Sequence, residues 1–161
     1  MIISKALEAT ILAHAQAEDP RECCGLVAVV KGRKRYFPCT NLADTPDEHF
    51  VLSGEDYAAV EDQGEIVAIV HSHPATNPNP SQADRVACAK SGLPWFIINP
   101  KTGGSSLTLP EAYELPYVGR EFVFGVVDCY TMCRDWYGKE FGLQLSDYNR
   151  RDKFWERGEN L

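Results

Sequence analysis

Residues 65 to 74 read Glu65-Ile66-Val67-Ala68-Ile69-Val70-His71-Ser72-His73-Pro74. The apolar run at 66–70, rich in β-branched residues and bounded by turn residues, predicts a strand buried on both faces. A strand of this kind needs cover on two sides, which points to the centre of an α/β sheet. Two histidines stand at its carboxyl end, where the sites of α/β sheets tend to lie. Side chains alternate along a strand, so His71 and His73 face one side together and Ser72 points elsewhere.

A proline-rich loop follows, then Pro80-Ser81-Gln82-Ala83-Asp84. His71, His73 and Asp84 make three ligands of the types zinc takes, and they leave a fourth position open for water. Zinc lowers the pKa of such a water to about 7. Amide hydrolysis also needs an acid/base that moves the water proton to the leaving amine. It needs a donor to the oxyanion as well. Ser81 is near the ligands in sequence and fits the donor role. Glu22, in Arg21-Glu22-Cys23-Cys24-Gly25 ahead of a strand-like run, is the best candidate for the acid/base. Ser81-Gln82-Ala83-Asp84 also reads as a capping box that opens a helix. The capping and ligand readings of Asp84 compete, because one carboxylate rarely serves both well.

Glu22, then His71-x-His73-Pro74, six residues, and Ser81-x-x-Asp84 resembles the signature of the JAMM (MPN-plus) metallopeptidases, matched at each motif position. The resemblance implies a zinc-dependent peptidase or isopeptidase on a layered α/β/α sandwich with a mixed sheet. By position, it makes His71, His73 and Asp84 the zinc ligands, Glu22 the acid/base and Ser81 the oxyanion support. The His-Glu-x-x-His helix of zincins is absent. So is the Cys-x-x-Cys that zinc deaminases require.

The remaining composition narrows the partners. A chain of 161 residues, 44% hydrophobic, fits one ordinary domain or one domain and a fragment. A formal charge of −7 argues against a nucleic-acid surface. The one basic cluster, Lys31-Gly32-Arg33-Lys34-Arg35, reads as a hairpin turn. No apolar stretch reaches membrane-spanning length. Residues 1–18 are broken by Lys5, Glu8 and His14 and do not read as a signal peptide. Of the six cysteines, Cys23, Cys24, Cys39 and Cys88 are expected reduced and buried.

Along the chain, the pattern predicts a helix from Ser4 to Glu18, on which His14 is structural. A strand pair is expected at 24–30 and 35–38, a short strand at 49–52, and a helix from Ser53 to about Asp62. The histidine strand comes next, then a helix from Ser81 to about Ser91 stopped by Gly92, and strands at 94–98 and 106–109. This places a JAMM-like domain over 1–110 and a linker over 111–120. The polar tail from Ser146 to Leu161 has Phe154 and Trp155 as its apolar anchors and is expected to be partly disordered.

Asp128 reads as an N-cap that puts Cys129 in the first turn of a helix, where the dipole favours a thiolate. Residues 125–136 resemble the nucleophile helix of NlpC-type cysteine peptidases, which makes Cys129 a candidate second nucleophile. Such enzymes need a histidine after the cysteine, yet His14, His49, His71 and His73 all precede it. Residues 121–161 therefore read as the incomplete start of a second domain, with Cys129 a packed helix residue rather than a working nucleophile. A JAMM domain followed by an NlpC-type domain resembles the tail assembly proteins of lambda-like phages. That implies phage tail-tip proteins as partners and a peptide or isopeptide substrate, in host peptidoglycan stem peptides or in tail proteins. It implies a place in the host cytoplasm during assembly, or at the virion tail tip, with no nucleic acid or membrane bound. Two rival readings are a structural tail-tip module with a non-catalytic zinc site, and a cysteine peptidase cutting peptidoglycan peptides once a full second domain is present.

Overall fold

The computed structural model describes residues 3–148, 150 and 158. Most of the polar tail, including Phe154 and Trp155, lies outside the described residues. The elements are α1 (Lys5–Glu18), β1 (Cys24–Val30), β2 (Arg33–Cys39), α2 (Gly54–Glu61), β3 (Glu65–Ser72), α3 (Gln82–Ser91), β4 (Trp95–Ile98), β5 (Ser105–Thr108) and α4 (Cys129–Phe141). The sheet order is β2-β1-β3-β4-β5, so the histidine strand is central. β3 and β4 run parallel, joined by the α3 crossover, and the other pairs are antiparallel. The sheet is mixed, as expected.

Alternation along the strands divides the core into two. On one face Val27, Ala68, Val70, Phe96 and Ile98 pack under Ile11 and Ala15 of α1. On the other, Leu26, Ala28, Ile69 and Trp95 pack against Val60 of α2 and Cys88 of α3. The result is the expected α/β/α sandwich. Cys23 and Cys24 fall on opposite faces, and both are buried thiols with Cys39 and Cys88. Burial pushes the Cys23 thiol up to about 11 and the Cys24 thiol up to about 12.

Two elements differ from the sequence reading. The β1–β2 turn is only Lys31-Gly32, both at positive φ, so β2 begins at Arg33 inside the basic cluster. The strand expected at 49–52 does not form. Leu52 makes one isolated bridge to Asn41, and residues 42–51 bulge out as a loop whose neck that bridge closes. The run His49-Phe50-Val51-Leu52 is apolar because Phe50 and Leu52 pack on the core from this loop.

The helix ends follow their signals. Ser4, Ser53, Ser81 and Asp128 are N-caps whose side chains accept a backbone N–H from the third residue on. Gly92 ends α3 in the left-handed conformation, at φ 66. Beyond β5 the chain turns back towards α3. Gln82 donates its backbone N–H to a Glu121 carboxylate oxygen (2.9 Å), and its carboxamide pairs with Gly119 O and Glu121 N–H (3.1 Å each). At the other end of α3, Lys90 pairs with Asp147 at 2.7 Å, which Arg134 of α4 also holds.

Candidate metal centre

The carboxyl end of β3 is held on both sides. His71 lies between Cys24 of β1 and Ile97 of β4 in the sheet register. Ser72 is fully buried; its hydroxyl accepts the Cys23 N–H (2.8 Å), and its own N–H donates to Cys23 O (3.1 Å). His73 continues the ladder by one bond, donating its N–H to Ile98 O. Asn99 then pins the turn after it. Its amide donates to His73 O and Thr76 O, and its carbonyl accepts from the N–H groups of Lys101 and Thr102.

This framework brings three side chains to one point. His71 Nε2 and His73 Nε2 are 3.1 Å apart. Asp84 Oδ1 is 3.3 Å from the first and Oδ2 is 3.3 Å from the second. All three residues are buried. His73 Nδ1 lies 3.0 Å from Asn77 O. A carbonyl only accepts, so Nδ1 carries a proton, and Nε2 is the atom turned towards the cluster.

The electrostatics treat the two rings differently around a charged carboxylate. Burial lowers the His71 pKa, and the nearby Asp84 only partly offsets it. For His73, burial acts the same way, but bonds to Asp84 and Asn77 outweigh it and raise the pKa. Burial also opposes the Asp84 charge. Hydrogen bonds from His71, His73 and Ser81 win and hold its carboxyl well below the usual carboxylate range.

Zinc fits this donor set. Imidazole and carboxylate are its ligand types, and bonds of about 2.0–2.1 Å in a tetrahedron put neighbouring ligand atoms about 3.3 Å apart. The observed separations of 3.1 to 3.3 Å match that edge. The three ligand atoms form the one His/Cys/Asp/Glu group with metal-holding geometry among the described residues.

The Asp84 carboxylate reaches both the helix cap and the two histidines, so the two readings that compete in the sequence are compatible in geometry. Its Oδ2 accepts the Ser81 N–H (2.7 Å) and O–H (2.8 Å), while Ser81 Oγ accepts the Asp84 N–H (3.0 Å). The capping box fixes the first turn of α3 and, with it, the direction of the carboxylate towards the histidines. A carboxylate has about four acceptor sites, enough for cap and cluster together.

Glu22 is 7% exposed, just ahead of β1 and beside the cluster. Its backbone is held at both ends: its N–H donates to Pro46 O, and its carbonyl accepts from Asn41 Nδ2 (2.9 Å). Burial pushes its carboxyl up to about 8, His73 pulls against that and Asp84 adds to it. A carboxylic acid that titrates near neutrality suits proton transfer.

Cys129 does not join this centre. It opens α4 as expected, capped by Asp128, but it is exposed rather than packed, which corrects the sequence reading. The first residue of a helix whose buried side is carried by Thr131 points away from that side. His14 bonds Tyr36 at 2.8 Å, a structural role. Sequence reading missed Ser72, Asn99, Asn41 and Phe50. The asparagines carried a usable signal, since each follows a strand and opens a turn, where Asn side chains bond local backbone.

The fold agrees with comparisons to known proteins. The family described as prokaryotic homologs of the JAB domain matches residues 4–110, and the chain belongs to that family. It is similar to the tail tip assembly protein K of Escherichia phage N15, with 47% identity over 146 residues, covering 91% of this chain and 60% of that protein. It is 42% identical over 110 residues to the protein of the same name from Escherichia phage lambda, covering 68% of this chain and 52% of that one. The CysO-cysteine peptidase of Mycobacterium tuberculosis (strain H37Rv) is 36% identical over 91 residues, covering 52% of this chain and 62% of that protein. The chain thus spans between about half and two thirds of the length of these relatives. Among the described residues, no helix is long and apolar enough to cross a membrane.

Proposed function

We infer that the chain is a zinc-dependent metallopeptidase that hydrolyses an amide bond in phage tail assembly or cell-wall penetration. The convergence of His71 Nε2, His73 Nε2 and the Asp84 carboxylate at 3.1 to 3.3 Å carries this reading. These three would hold the ion. Bound there, zinc would act as a Lewis acid and bring a water to a pKa near 7.

The chain's own groups do the rest. Glu22 accepts the proton of the attacking water and delivers it to the leaving amine. Its raised pKa makes both directions accessible near neutral pH. Ser81 donates to the oxyanion of the tetrahedral intermediate. Its hydroxyl donates to Asp84 Oδ2 at rest, so the hydroxyl must rotate to serve, while the Ser81 N–H keeps its bond to Asp84. The relatives named for tail tip assembly support other tail-tip proteins as partners, and the relative named as a peptidase supports the reaction class. The substrate is a peptide or isopeptide, in peptidoglycan stem peptides or in a tail protein. Residues 121–161 form the start of a second, NlpC-like unit after a linker over 111–120.

The test is to load the protein with zinc and incubate it with purified peptidoglycan and with phage tail proteins, reading new termini by mass spectrometry. New termini that vanish with chelator and in Glu22→Gln are expected. Stoichiometric zinc with no cleavage of either material would favour a structural tail-tip module.

A further inference from the structure

The loop at 41–52 touches both halves of the proposed machinery. From one side, Pro46 O accepts the Glu22 N–H, and Asn41 Nδ2 donates to Glu22 O (2.9 Å). From the other, the Phe50 ring stacks on the His71 imidazole, with centroids 4.6 Å apart and planes at 22°. Trp95 of β4 meets the same imidazole edge-on, at 5.3 Å and 78°.

Asn41 ties these contacts together. Its amide has two N–H donors and a carbonyl that accepts twice. All four are used: Nδ2 donates to Glu22 O and His49 O, and Oδ1 accepts the N–H groups of Ala43 and Val51. His49 and Val51 are the two neighbours of Phe50. One side chain therefore sets the backbone on both sides of the stacked ring and the carbonyl of the acid/base residue.

His71 needs such support. A metal-binding histidine almost always donates its second ring N–H to a carboxylate, a carbonyl or water, which fixes the ring. His73 does so through Asn77 O. His71 Nδ1 is buried and has no hydrogen-bond partner among the described residues. Its orientation is set by Phe50 and Trp95 instead, through stacked and edge-on aromatic packing.

We propose that Asn41 and Phe50 are positioning residues, which make the 41–52 loop a clamp that aims the His71 ring at the metal and holds Glu22 beside it. This rests on the metallopeptidase reading of the same site. Because Phe50 sits on a loop and not on the sheet, the ligand geometry depends on that loop staying closed.

The experiment measures zinc affinity by chelator competition, and the visible spectrum of the cobalt-substituted protein, for wild type, Phe50→Leu, Phe50→Tyr, Asn41→Asp and the double variant Phe50→Leu/Asn41→Asp. Melting of the metal-free proteins reads stability separately. Phe50→Leu should bind zinc about 10- to 100-fold more weakly, the range for supports of metal ligands, and alter the cobalt spectrum. Phe50→Tyr keeps the ring and should restore both. Asn41→Asp keeps the two accepted bonds, loses the two donated ones, and should weaken zinc in the same direction. The double variant should bind about as weakly as Phe50→Leu, since both act through one loop. Should Phe50→Leu not fold, Asn41→Asp against wild type carries the comparison. Wild type that binds zinc while folded Phe50→Leu and Asn41→Asp match its affinity and spectrum overturns the clamp and leaves the metallopeptidase reading standing. Multiplying losses in the double variant overturn the shared loop. Wild type that binds no zinc removes the metallopeptidase reading and the clamp with it.

Discussion

Ser81 and Asp84 hold each other by three hydrogen bonds, two from Ser81 N–H and O–H to Asp84 Oδ2 and one from Asp84 N–H to Ser81 Oγ. The start of α3 and the carboxylate of the candidate metal centre are thus one structure. Asp84→Ala should lose most of the zinc and also lower the stability of the metal-free protein, because Ser81 N–H and O–H lose their acceptor while the cap bond to the residue-84 N–H remains. Metal analysis together with melting of the chelated protein checks both. Retention of close to one zinc per chain would remove Asp84 from the ligand set.

Glu22→Gln preserves shape and removes the proton acceptor. On a substrate that wild type cuts, the rate should fall about 10²- to 10⁴-fold, with zinc content unchanged. Ser81→Ala should cost less, about 10²- to 10³-fold. Undiminished turnover in Glu22→Gln would rule the mechanism out. A low melting temperature with zinc lost would mark Glu22 as structural.

The raised Glu22 pKa also sets a pH dependence for the metal-free protein. The carboxyl titrates at 4.5 in the unfolded chain and at about 8 when folded. Between those values the folded state holds a proton that the unfolded state has released. The stability contributed by neutral Glu22 is complete below about pH 4.5 and is lost as pH rises towards 8. Relative to wild type, chelated Glu22→Gln should therefore gain stability progressively over that interval in urea melts. A constant difference across it would mean that Glu22 is ionised in the fold.

Cysteine accessibility separates the two peptidase readings. Cys129 and Cys133 are exposed and the other four cysteines are buried. A maleimide should label two of the six thiols in the native protein, counted by intact mass. The labelled protein should keep its chelator-sensitive hydrolysis. Loss of hydrolysis on labelling, with zinc retained, would move the chemistry to Cys129.

Much of this was legible because local signals and global demands coincide. The run at 66–70 requires cover on two faces, and the two core clusters supply it. His71 and His73 meet on one side because the ladder of β3 continues one residue past Ser72, where the His73 N–H bonds Ile98 O. Ser81 and Gly92 bracket α3 as their residue types predict. The missed parts are those that tertiary contact decides. The pattern at 49–52 has strand-like residues, but Phe50 and Leu52 are claimed by His71 and the core, Val51 is exposed, and the pairing with 41–42 stops after one bridge and the Leu42 N–H to Val51 O bond. Asn41 and Asn99 accept from nearby backbone as their type suggests, but their amide donors, like the Ser72 hydroxyl, reach backbone groups distant in sequence, which no spacing rule encodes. In the sequence Cys129 reads as packed because no histidine follows it to make it a nucleophile, yet it is exposed, as are Met132, Trp136 and Phe141 of the same helix.

The helix that carries Asp84 is gripped at both ends by the chain that follows the JAB domain, at Gln82 by residues 119 and 121 and at Lys90 by Asp147. These grips are exposed and polar, with the ion pair open to screening by salt. α3 is therefore a beam seated on the core at Cys88 and tied at both ends, and a load on the C-terminal segment, from ionic strength or a pull along the chain, falls on the same beam that aims the Asp84 carboxylate at the two histidines.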